Sequence, residues 1–448
     1  MRTINLLDKN FCTGCGSCYN ICPVEAISMR ANDEGFLYPQ INTALCVGCG
    51  LCAKRCPQLL DQMPNVEEQH CFAAWAKDEL RGYGSSGGIF PVIAEQTIKK
   101  GGVVYGAAFS DEQTKVLHVE VKNKNELWRL YKSKYVQSDL SSVYQPLRED
   151  LRQGKPVLFS GTPCQNAAIR CSCANLPQKA REQLFLCDII CHSVPSPLFW
   201  EDYQQLLAAE AGAPLVWARF RGKDIPWSRA NSNRGFAYRV AGENAIRKDD
   251  RFYRLYLSGL PARPSCYCCP YTDLRRSGDV TIADYWGLEE QDPASYDPRG
   301  VSLLLVNTAQ GAMLLQTASS WLLRQQRPAA EALAAEEGNL LLATGAKELA
   351  QFAAIPPERL YPRVLPTLES IAACEAANIP HRNIIAMQGP FSFALNQAMM
   401  EQFHIRWLVT KDGGAAGGFD EKAAAASAAG AQLVVIRRPP EQGETASE

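Results

Sequence analysis

Two runs of cysteine near the start of the chain share one spacing. In each run three cysteines are separated from one another by two residues, a fourth follows after three more residues, and a proline comes directly after it. Three closely spaced thiolates can wrap one corner of an iron–sulfur cubane, and a more distant thiolate completes its set of ligands. The two runs consist of Cys12, Cys15, Cys18 and Cys22, and of Cys46, Cys49, Cys52 and Cys56.

The repeat predicts two 4Fe–4S clusters that exchange their fourth ligands. In two-cluster ferredoxins the last cysteine of each run ligates the other cluster, and glycines inside each run allow tight backbone turns. A pair of zinc knuckles is the alternative, but zinc sites use C-x2-C pairs and not two four-cysteine runs closed by proline. We therefore expect one cluster on Cys12, Cys15, Cys18 and Cys56, and the other on Cys46, Cys49, Cys52 and Cys22.

Four further cysteines occur in settings unlike those of ordinary core thiols. Cys164 and Cys191 each come just after a predicted strand, whereas Cys266 and Cys269 form a C-x2-C pair. The ends of strands are where α/β sheets gather their ligands. A third 4Fe–4S cluster held by these four thiolates would explain all of them together. The alternative is that they are buried free thiols, which behave as small hydrophobic side chains.

The composition favours cluster ligation in a reducing compartment. The first residues show neither the apolar stretch nor the cleavage pattern of a signal peptide, so the 18 cysteines are better explained by clusters than by disulfides. A formal net charge of −1 does not favour nucleic acid as a partner. The apolar runs are too short to cross a membrane. We therefore expect a cytoplasmic protein with no membrane span and no nucleic-acid partner.

Strand and helix patterns alternate between residues 71 and 325, which indicates an α/β domain. Residues 83–89 form a glycine–serine turn that leads into a helix, where free backbone amides favour an anion such as phosphate. A turn of this kind, taken alone, more often has no ligand. The predicted strands of this domain are 101–109 and 156–160, and its predicted helices are 90–100 and 143–153. Between the two cysteine runs, residues 26–29 and 35–38 are predicted to form short hairpin strands.

Seven ordered motifs extend from this turn to residue 308. They are 84–88 (GSSGG), 135–138 (YVQS), 158–165 (LFSGTPCQ), 188–197 (DIICHSVPSP), 263–269 (RPSCYCC), 278–287 (GDVTIADYWG) and 300–308 (GVSLLLVNT). With these motifs, residues 1–316 resemble the beta subunit of coenzyme F-420 hydrogenases and dehydrogenases. The resemblance implies an FAD-binding domain with a third 4Fe–4S cluster, preceded by two ferredoxin-type clusters. The flavin-binding residues that it implies are Gly84, Ser85, Ser86, Gly87, Gly88, Ser138, Thr162 and Asp284.

The same resemblance implies flavin redox chemistry. A flavin accepts a hydride as two electrons and releases them singly to clusters; NADPH and coenzyme F-420 are the candidate donors, and a redox partner protein is the other candidate. Ser193 and Ala283 stand where relatives usually have glycine, so we expect the flavin cavity to be altered or lost. Two alternatives stay open: a subunit without chemistry of its own that relays electrons to a partner enzyme, and a relative associated with polysaccharide synthesis. No catalytic residue is assigned.

After residue 325 cysteines nearly vanish and a new strand–helix alternation begins. Three of its strands precede glycine-containing turns, which should line up on one edge of a parallel sheet. The predicted strands are 339–343, 383–387, 407–409 and 432–436, with a helix at 420–429. The motifs 342–349, 363–367, 385–392, 408–412 and 417–422 make residues 328–440 resemble the C-terminal half of precorrin-6A reductase, an enzyme of cobalamin synthesis. That enzyme's other half, with its nucleotide loop, has no counterpart here, which implies a corrin-binding half-domain.

Together these observations predict a multidomain α/β protein. Its parts are a ferredoxin-like α+β two-cluster domain, a central α/β flavin and iron–sulfur domain, and a Rossmann-like parallel α/β half-domain. The predicted function is to split a hydride at FAD into single electrons that pass through the clusters, with a corrin precursor as the candidate acceptor. The predicted segments are 1–60, a linker at 61–70, 71–325, 326–438 and a disordered tail at 439–448.

Overall fold

The chain folds into two compact units, and both contain helices and strands. The first comprises Met1–Tyr271 and Arg275–Arg327, and the second comprises Thr272–Leu274 and Pro328–Glu448. The multidomain α/β fold predicted from the sequence is confirmed. Most of the predicted linker and all of the predicted tail lie outside the described residues. The structure, a computed structural model, describes residues 8–60, 69–77, 79–228, 235–244, 246–248, 251–272, 275–327, 338–353, 355–389, 391–411 and 418–436.

The two cysteine runs flank a small antiparallel hairpin, formed by β1 (Ile27–Ala31) and β2 (Leu37–Ile41). A short helix, Ser17–Asn20, lies within the first run, and a 3-10 helix, Ala53–Arg55, lies within the second. The hairpin agrees with the two short strands predicted between the runs.

Eight strands of the described chain form a mixed sheet at the centre of the first unit. The remaining strands of this unit are β3 (His70–Ala76), β4 (Val103–Phe109), β5 (Val116–Val121), β6 (Val157–Gly161), β7 (Leu184–Ile189), β8 (Leu215–Arg219), β9 (Ala237–Val240), β10 (Arg247–Lys248), β11 (Val280–Asp284), β12 (Ser302–Val306) and β13 (Leu322–Arg327). The order in the large sheet is β13-β3-β12-β11-β7-β6-β4-β5, whereas β10-β9-β8 form a separate small sheet. Strands β4, β6, β7 and β11 are mutually parallel.

Helices cover both faces of this sheet because its central strands are apolar on both sides. In β6, Leu158 packs into the cluster that contains the helix Ile89–Lys99, whereas Val157 and Phe159 face the opposite cluster. This alternation follows from the two-residue period of a strand. The helices of the unit are Ser17–Asn20, Leu80–Tyr83, Ile89–Lys99, Tyr144–Arg152, Pro163–Cys173, Gln178–Arg181, Pro197–Ala211, Arg251–Leu257, Leu288–Gln291 and Ala309–Ala318, with 3-10 helices at Ala53–Arg55, Lys124–Leu130 and Pro264–Cys266.

The second unit contains a parallel sheet. Its described strands are β14 (Asn339–Ala343), β15 (Leu360–Val364), β16 (Ile385–Ala386), β17 (Ile405–Lys411) and β18 (Gln432–Ile436), in the order β16-β15-β14-β17-β18. All neighbouring pairs are parallel, so their carboxyl ends share one edge. The helices are Leu368–Ala376, Phe393–Gln402 and Phe419–Ala428, with 3-10 helices at Ala346–Phe352, Pro357–Arg359 and His381–Asn383.

Most predicted elements of the second unit form where the sequence places them, with two exceptions. The predicted strand 383–387 is reduced to Ile385–Ala386, because His381–Asn383 turn into a 3-10 helix after Pro380. Strand β15 was not predicted, since Pro362 interrupts its pattern. Of the three predicted turns, the one after β17 falls mainly on residues 412–417, outside the described chain. Within the part of the chain that the structure describes, every helix is too short or too polar to cross a membrane.

Candidate redox site

The first predicted set of cluster ligands is brought together by the fold. Burial raises the pKa of Cys15 to about 12, and the charges of Cys12 and Cys56 contribute to the shift. The pKa of Cys18 is also raised, mainly by burial and then by the charges of the same three thiols. Cys56 from the second run therefore lies among the thiols of the first, as the exchange of fourth ligands requires. Metal binding would compensate the cost of burial, because a coordinating thiol is deprotonated.

The fold brings together three of the four thiols of the second predicted set of cluster ligands. Burial raises the pKa of Cys52, with further contributions from Cys49 and Cys46. The Sγ atom of Cys22 accepts a hydrogen bond from the backbone N–H of Ala26 at 3.2 Å, and no interaction described here joins it to the other three. The glycines inside both runs all have positive φ, from 67° at Gly14 to 76° at Gly16, so the tight turns predicted around the thiols are present.

The third set lies at the carboxyl edge of the large sheet. Cys164 is in the first turn of the helix after β6, Cys191 follows β7, and Cys266 ends a 3-10 helix. Burial raises the pKa of Cys191 well above its usual value, and charges on Cys164, Cys266 and Cys269 add to this effect. The pKa of Cys164 is raised to about 12 by burial, then by Cys269 and Cys266. All four thiols therefore lie within electrostatic reach of one another, and a cluster fits this donor set.

Among the residues that the structure describes, no three His, Cys, Asp or Glu side chains come close enough to hold one metal ion. A cubane differs from a single ion in this respect, because its inorganic core separates the four thiolates.

A cavity of about 230 Å³ opens beside the third thiol set. Cys191 lines its wall, as do Ser193 and Ala283, the two positions at which the sequence resemblance leads us to expect glycine. Gly87 is absent from the lining and approaches the sheet instead, since a Cβ there would lie 2.4 Å from the carbonyl oxygen of Ala74. The other predicted flavin residues line the cavity; they are Gly84, Ser85, Ser86, Gly88, Ser138, Thr162 and Asp284.

The glycine–serine loop is held in place by hydrogen bonds to the backbone of neighbouring segments. The hydroxyl of Ser85 accepts from the backbone N–H of Ser133 at 2.9 Å, and the hydroxyl of Ser86 donates to the backbone oxygen of Val301 at 2.7 Å. Gly88, with φ of 80°, precedes the helix Ile89–Lys99, and no side chain caps that helix. Its first backbone amides therefore suit an anion.

Two lysines in the cavity wall were not predicted from the sequence. Lys134 donates to the backbone oxygens of Arg129 and Tyr131 at 2.8 and 2.9 Å, and burial alone lowers its pKa to about 7. Burial is also the main reason why the pKa of Lys132 is lowered to about 8. The signal available in the sequence was their position immediately before Tyr135, the first residue of the YVQS motif.

Asp284 has a structural partner that the sequence did not reveal. Arg221 donates to both of its carboxylate oxygens, at 2.8 and 3.0 Å, and the indole of Trp227 donates to one of them at 2.7 Å. His118 also lines the cavity; its Nε2 lies 3.0 Å from the backbone oxygen of Ser160, and burial lowers its pKa to about 4. Phosphate groups of a dinucleotide fit the lysines and the helix start better than they fit Asp284, which is already paired.

The third thiol set adjoins the first. The charge of Cys15 contributes to the raised pKa of Cys164, and the pKa of Tyr271 is raised mainly by burial and then by the charges of both thiols. The hydroxyl of Tyr271 accepts from the side chain of Gln58 at 2.7 Å, and the hydroxyl of Tyr144 donates to the backbone oxygen of Cys15 at 2.7 Å. The cavity, the third set and the first set therefore follow one another in space.

Three segments of the chain match known family profiles. Residues 11–59 match the 4Fe-4S dicluster domain, and residues 154–323 match the C terminus of the coenzyme F-420 hydrogenase/dehydrogenase beta subunit. Residues 309–448 match the precorrin-6x reductase CbiJ/CobK. The chain therefore joins segments similar to an iron–sulfur oxidoreductase subunit to a segment similar to precorrin-6x reductase. The resemblances predicted from the sequence are confirmed, and the family matches support an enzyme that carries iron–sulfur clusters.

Curated relatives are similar to this chain over a small share of its length. The cobalt-precorrin-6A reductase of Priestia megaterium is 37% identical over 90 residues, which are 19% of this chain and 35% of the relative. That of Methanothermobacter thermautotrophicus is 40% identical over 60 residues, 13% of this chain and 20% of the relative. The chain thus spans about a third or less of these relatives. A chain of the F-420-reducing [NiFe] hydrogenase complex from Methanosarcina barkeri is 16% identical with a TM-score of 0.40, over 57% of this chain and 81% of that chain.

Proposed function

We propose that this protein is a cytoplasmic iron–sulfur flavoprotein that converts a hydride into single electrons. The observation that carries this proposal is that Cys191 lines the same cavity as the glycine–serine loop. One thiol of the proposed third cluster therefore lies where a dinucleotide cofactor would bind. FAD bound there would supply the two-electron half of the chemistry, and 4Fe–4S clusters would supply the one-electron half.

The protein's own residues have three roles in this proposal. The backbone amides before the helix Ile89–Lys99, with Lys132 and Lys134, bind the phosphates of the cofactor. Gln165 joins Thr162 to Ser138, accepting from the Thr162 backbone N–H at 2.9 Å and donating to the Ser138 hydroxyl at 2.8 Å, and so holds two sides of the cavity together. The thiols of the third set, then of the first and second sets, hold the clusters in sequence.

The number of clusters can be tested by chemical analysis. Protein purified without oxygen should contain about twelve iron atoms and about one FAD, because three cubanes hold four irons each. Cys191→Ser and Cys266→Ser should each lower the iron content by about four atoms. Cys268→Ser is the matched control, since this exposed cysteine lies between two proposed ligands. Protein without flavin, or unchanged iron in Cys191→Ser, would contradict the proposal.

Reduction of a corrin precursor is the second candidate function, and the matches of residues 309–448 and of the cobalt-precorrin-6A reductases favour it. In this version the clusters deliver electrons toward a tetrapyrrole precursor held by the second unit, in place of the usual hydride donor. Purified protein would be assayed with precorrin-6A and with dithionite, NADPH or reduced coenzyme F-420 as donor. The absence of ring reduction with every donor would remove this candidate.

A relay to a partner enzyme is the competing interpretation of the first unit. The matching profile describes the beta subunit of a larger enzyme, which favours a redox partner protein. Flavin content distinguishes the two versions, because a relay needs clusters alone. Anaerobic protein that shows cluster absorbance without flavin would favour the relay.

A further inference from the structure

The carboxyl edge of the second unit's sheet contains a buried arginine that no described carboxylate neutralises. Arg363, in β15, is 7% exposed. Its Nη1 donates to the side-chain oxygen of Asn396 at 2.7 Å, and its guanidinium lies 4.1 Å from the ring centroid of Phe391. Burial alone lowers the pKa of Arg363 to about 10. A guanidinium has five N–H donors, and burying a cation is costly unless charge and hydrogen bonds compensate it.

A second cation lies at the same edge. Lys422 donates from Nζ to the hydroxyl of Thr410 at 3.3 Å. Thr410 pairs with Ala343 of β14, and the other neighbour of β14 is β15, which carries Arg363. Burial and the charge of Arg363 both lower the pKa of Lys422, and the carboxylate of Glu421 offsets only part of this effect. Arg363 therefore lies close enough to Lys422 to disfavour the charged form of the lysine.

A buried hydroxyl lies at the same edge of the sheet. Thr344 directly follows β14 and is 8% exposed, and its Oγ1 atom has no hydrogen-bond partner among the residues that the structure describes. Its neighbour Ala343 pairs with Thr410, so Thr344 belongs to the same edge as Lys422. Buried polar groups in proteins are nearly always hydrogen-bonded. A buried arginine with no described carboxylate partner and a buried hydroxyl with no described hydrogen-bond partner, with a second cation near them, together indicate the place of an anionic ligand.

We infer that Arg363, Lys422 and Thr344 form an oxyanion site for a ligand that carries carboxylates or phosphates. The guanidinium can bind either group through paired hydrogen bonds, the ammonium group adds a point charge, and the hydroxyl donates a further hydrogen bond. The inference rests on the corrin-precursor proposal only for the ligand's identity: a tetrapyrrole precursor brings carboxylates, whereas NADPH brings phosphates. The site itself follows from the charges and the hydroxyl.

Equilibrium binding to the full chain tests this site. Uroporphyrin III, a tetrapyrrole with carboxylate side chains, and NADPH are titrated separately and followed by fluorescence. Arg363→Gln and Lys422→Gln should each weaken binding of one probe about ten-fold, because each removes a charge-assisted contact. Arg382→Gln is the control, since Arg382 is an exposed arginine of the same unit, and it should leave binding unchanged. NADPH bound elsewhere in the chain would not respond to these substitutions.

The two probes distinguish the sources of the anion. Weaker uroporphyrin binding in the two variants would assign the site to carboxylates, and weaker NADPH binding would assign it to phosphates. The inference is overturned if neither probe binds the wild-type chain, or if Lys422→Gln binds both probes as the wild type does. Lys422 is only partly buried, so this variant should fold even if Arg363→Gln does not, and thermal melting verifies it. Binding does not require ring reduction, so the site can be confirmed even where the reductase proposal fails.

Discussion

Replacing Arg263 with methionine should loosen the cluster region before the central sheet unfolds. Arg263 is only 1% exposed. It donates to the backbone oxygens of Cys12 and Leu37 at 2.7 and 2.9 Å, and to the side chain of Gln137 at 3.0 Å. Its guanidinium also lies 4.3 Å from the ring centroid of Tyr38. One side chain therefore joins the first cysteine run and the β1–β2 hairpin to the central domain.

The size of the effect follows from what methionine leaves behind. It occupies a similar volume but leaves three oxygen atoms without their donor. Each buried oxygen left unpaired costs about 1–3 kcal/mol, and the lost cation–π contact costs about 1 kcal/mol. Part of this loss is offset, because a buried guanidinium carries its own desolvation cost. We therefore expect the free energy of unfolding of the cluster region to be about 4 kcal/mol lower in the variant.

Urea unfolding of anaerobically prepared protein measures this loss with two probes. Visible absorbance follows the clusters, and far-ultraviolet circular dichroism follows the sheet. In Arg263→Met the clusters should be lost at lower urea than the sheet. Arg263→Lys keeps the charge without the planar fork of donors, so its loss should be smaller. Arg30→Met is the matched control, because Arg30 is exposed in β1.

Two results would refute this reasoning. A cluster transition within about 0.5 kcal/mol of the wild type would mean that Arg263 does not hold the region in place. A joint shift of both probes would mean that it stabilises the whole unit and not the attachment.

Three further predictions concern the cavity and its loop. Gly87→Ala should lower the free energy of unfolding by about 3 kcal/mol, measured by thermal unfolding, because the added Cβ would lie 2.4 Å from a strand oxygen. Gly82→Ala is the control and should leave the free energy of unfolding unchanged, because a Cβ there would meet nothing within 4 Å. Because burial lowers the pKa of Lys134 to about 7, the unfolded chain binds more protons between about pH 7 and pH 10, so the stability of flavin-free protein rises with pH in that window. Lys134→Met should flatten this rise in urea unfolding, and an unchanged slope would contradict the burial argument. Ser193→Gly and Ala283→Gly remove side chains from the cavity lining, so flavin should bind about ten-fold more tightly in fluorescence titrations; equal or weaker binding would mean that they do not narrow the site.

The candidate cluster ligands could be predicted from the sequence because their spacing is local. Three thiols and two glycines within one short run define the loop around a cubane, whatever the rest of the chain does. The exchange of the fourth ligand follows from the repeat, and the structure places Cys56 among the thiols of the first run. Buried strands such as β6 could also be predicted from the sequence. A parallel strand that is covered on both faces has a continuous apolar run of residues.

Contacts between distant segments could not be predicted in this way. Asp284 belongs to a recognisable motif, yet its carboxylate is bound by Arg221 and Trp227, whose positions depend on the small sheet and the loop beyond it. Pro362 argues against a strand, because proline cannot donate to a neighbouring strand. Pro362 nevertheless lies within β15, where it is paired with Leu342 of β14. Tertiary packing therefore overrides the local preference.

The charge of the central cavity restricts what can bind there. Arg221 neutralises Asp284, which leaves Lys132 and Lys134 as the cations that burial suppresses. An anionic ligand would favour the protonated form of both lysines and so gain affinity from charges that the free protein suppresses. The burial that costs stability without a ligand therefore strengthens binding of a dinucleotide. Lys134→Met should accordingly flatten the rise of stability with pH in the flavin-free protein and also weaken its affinity for FAD, two effects that a lysine acting only as a hydrogen-bond donor to the backbone would not produce together.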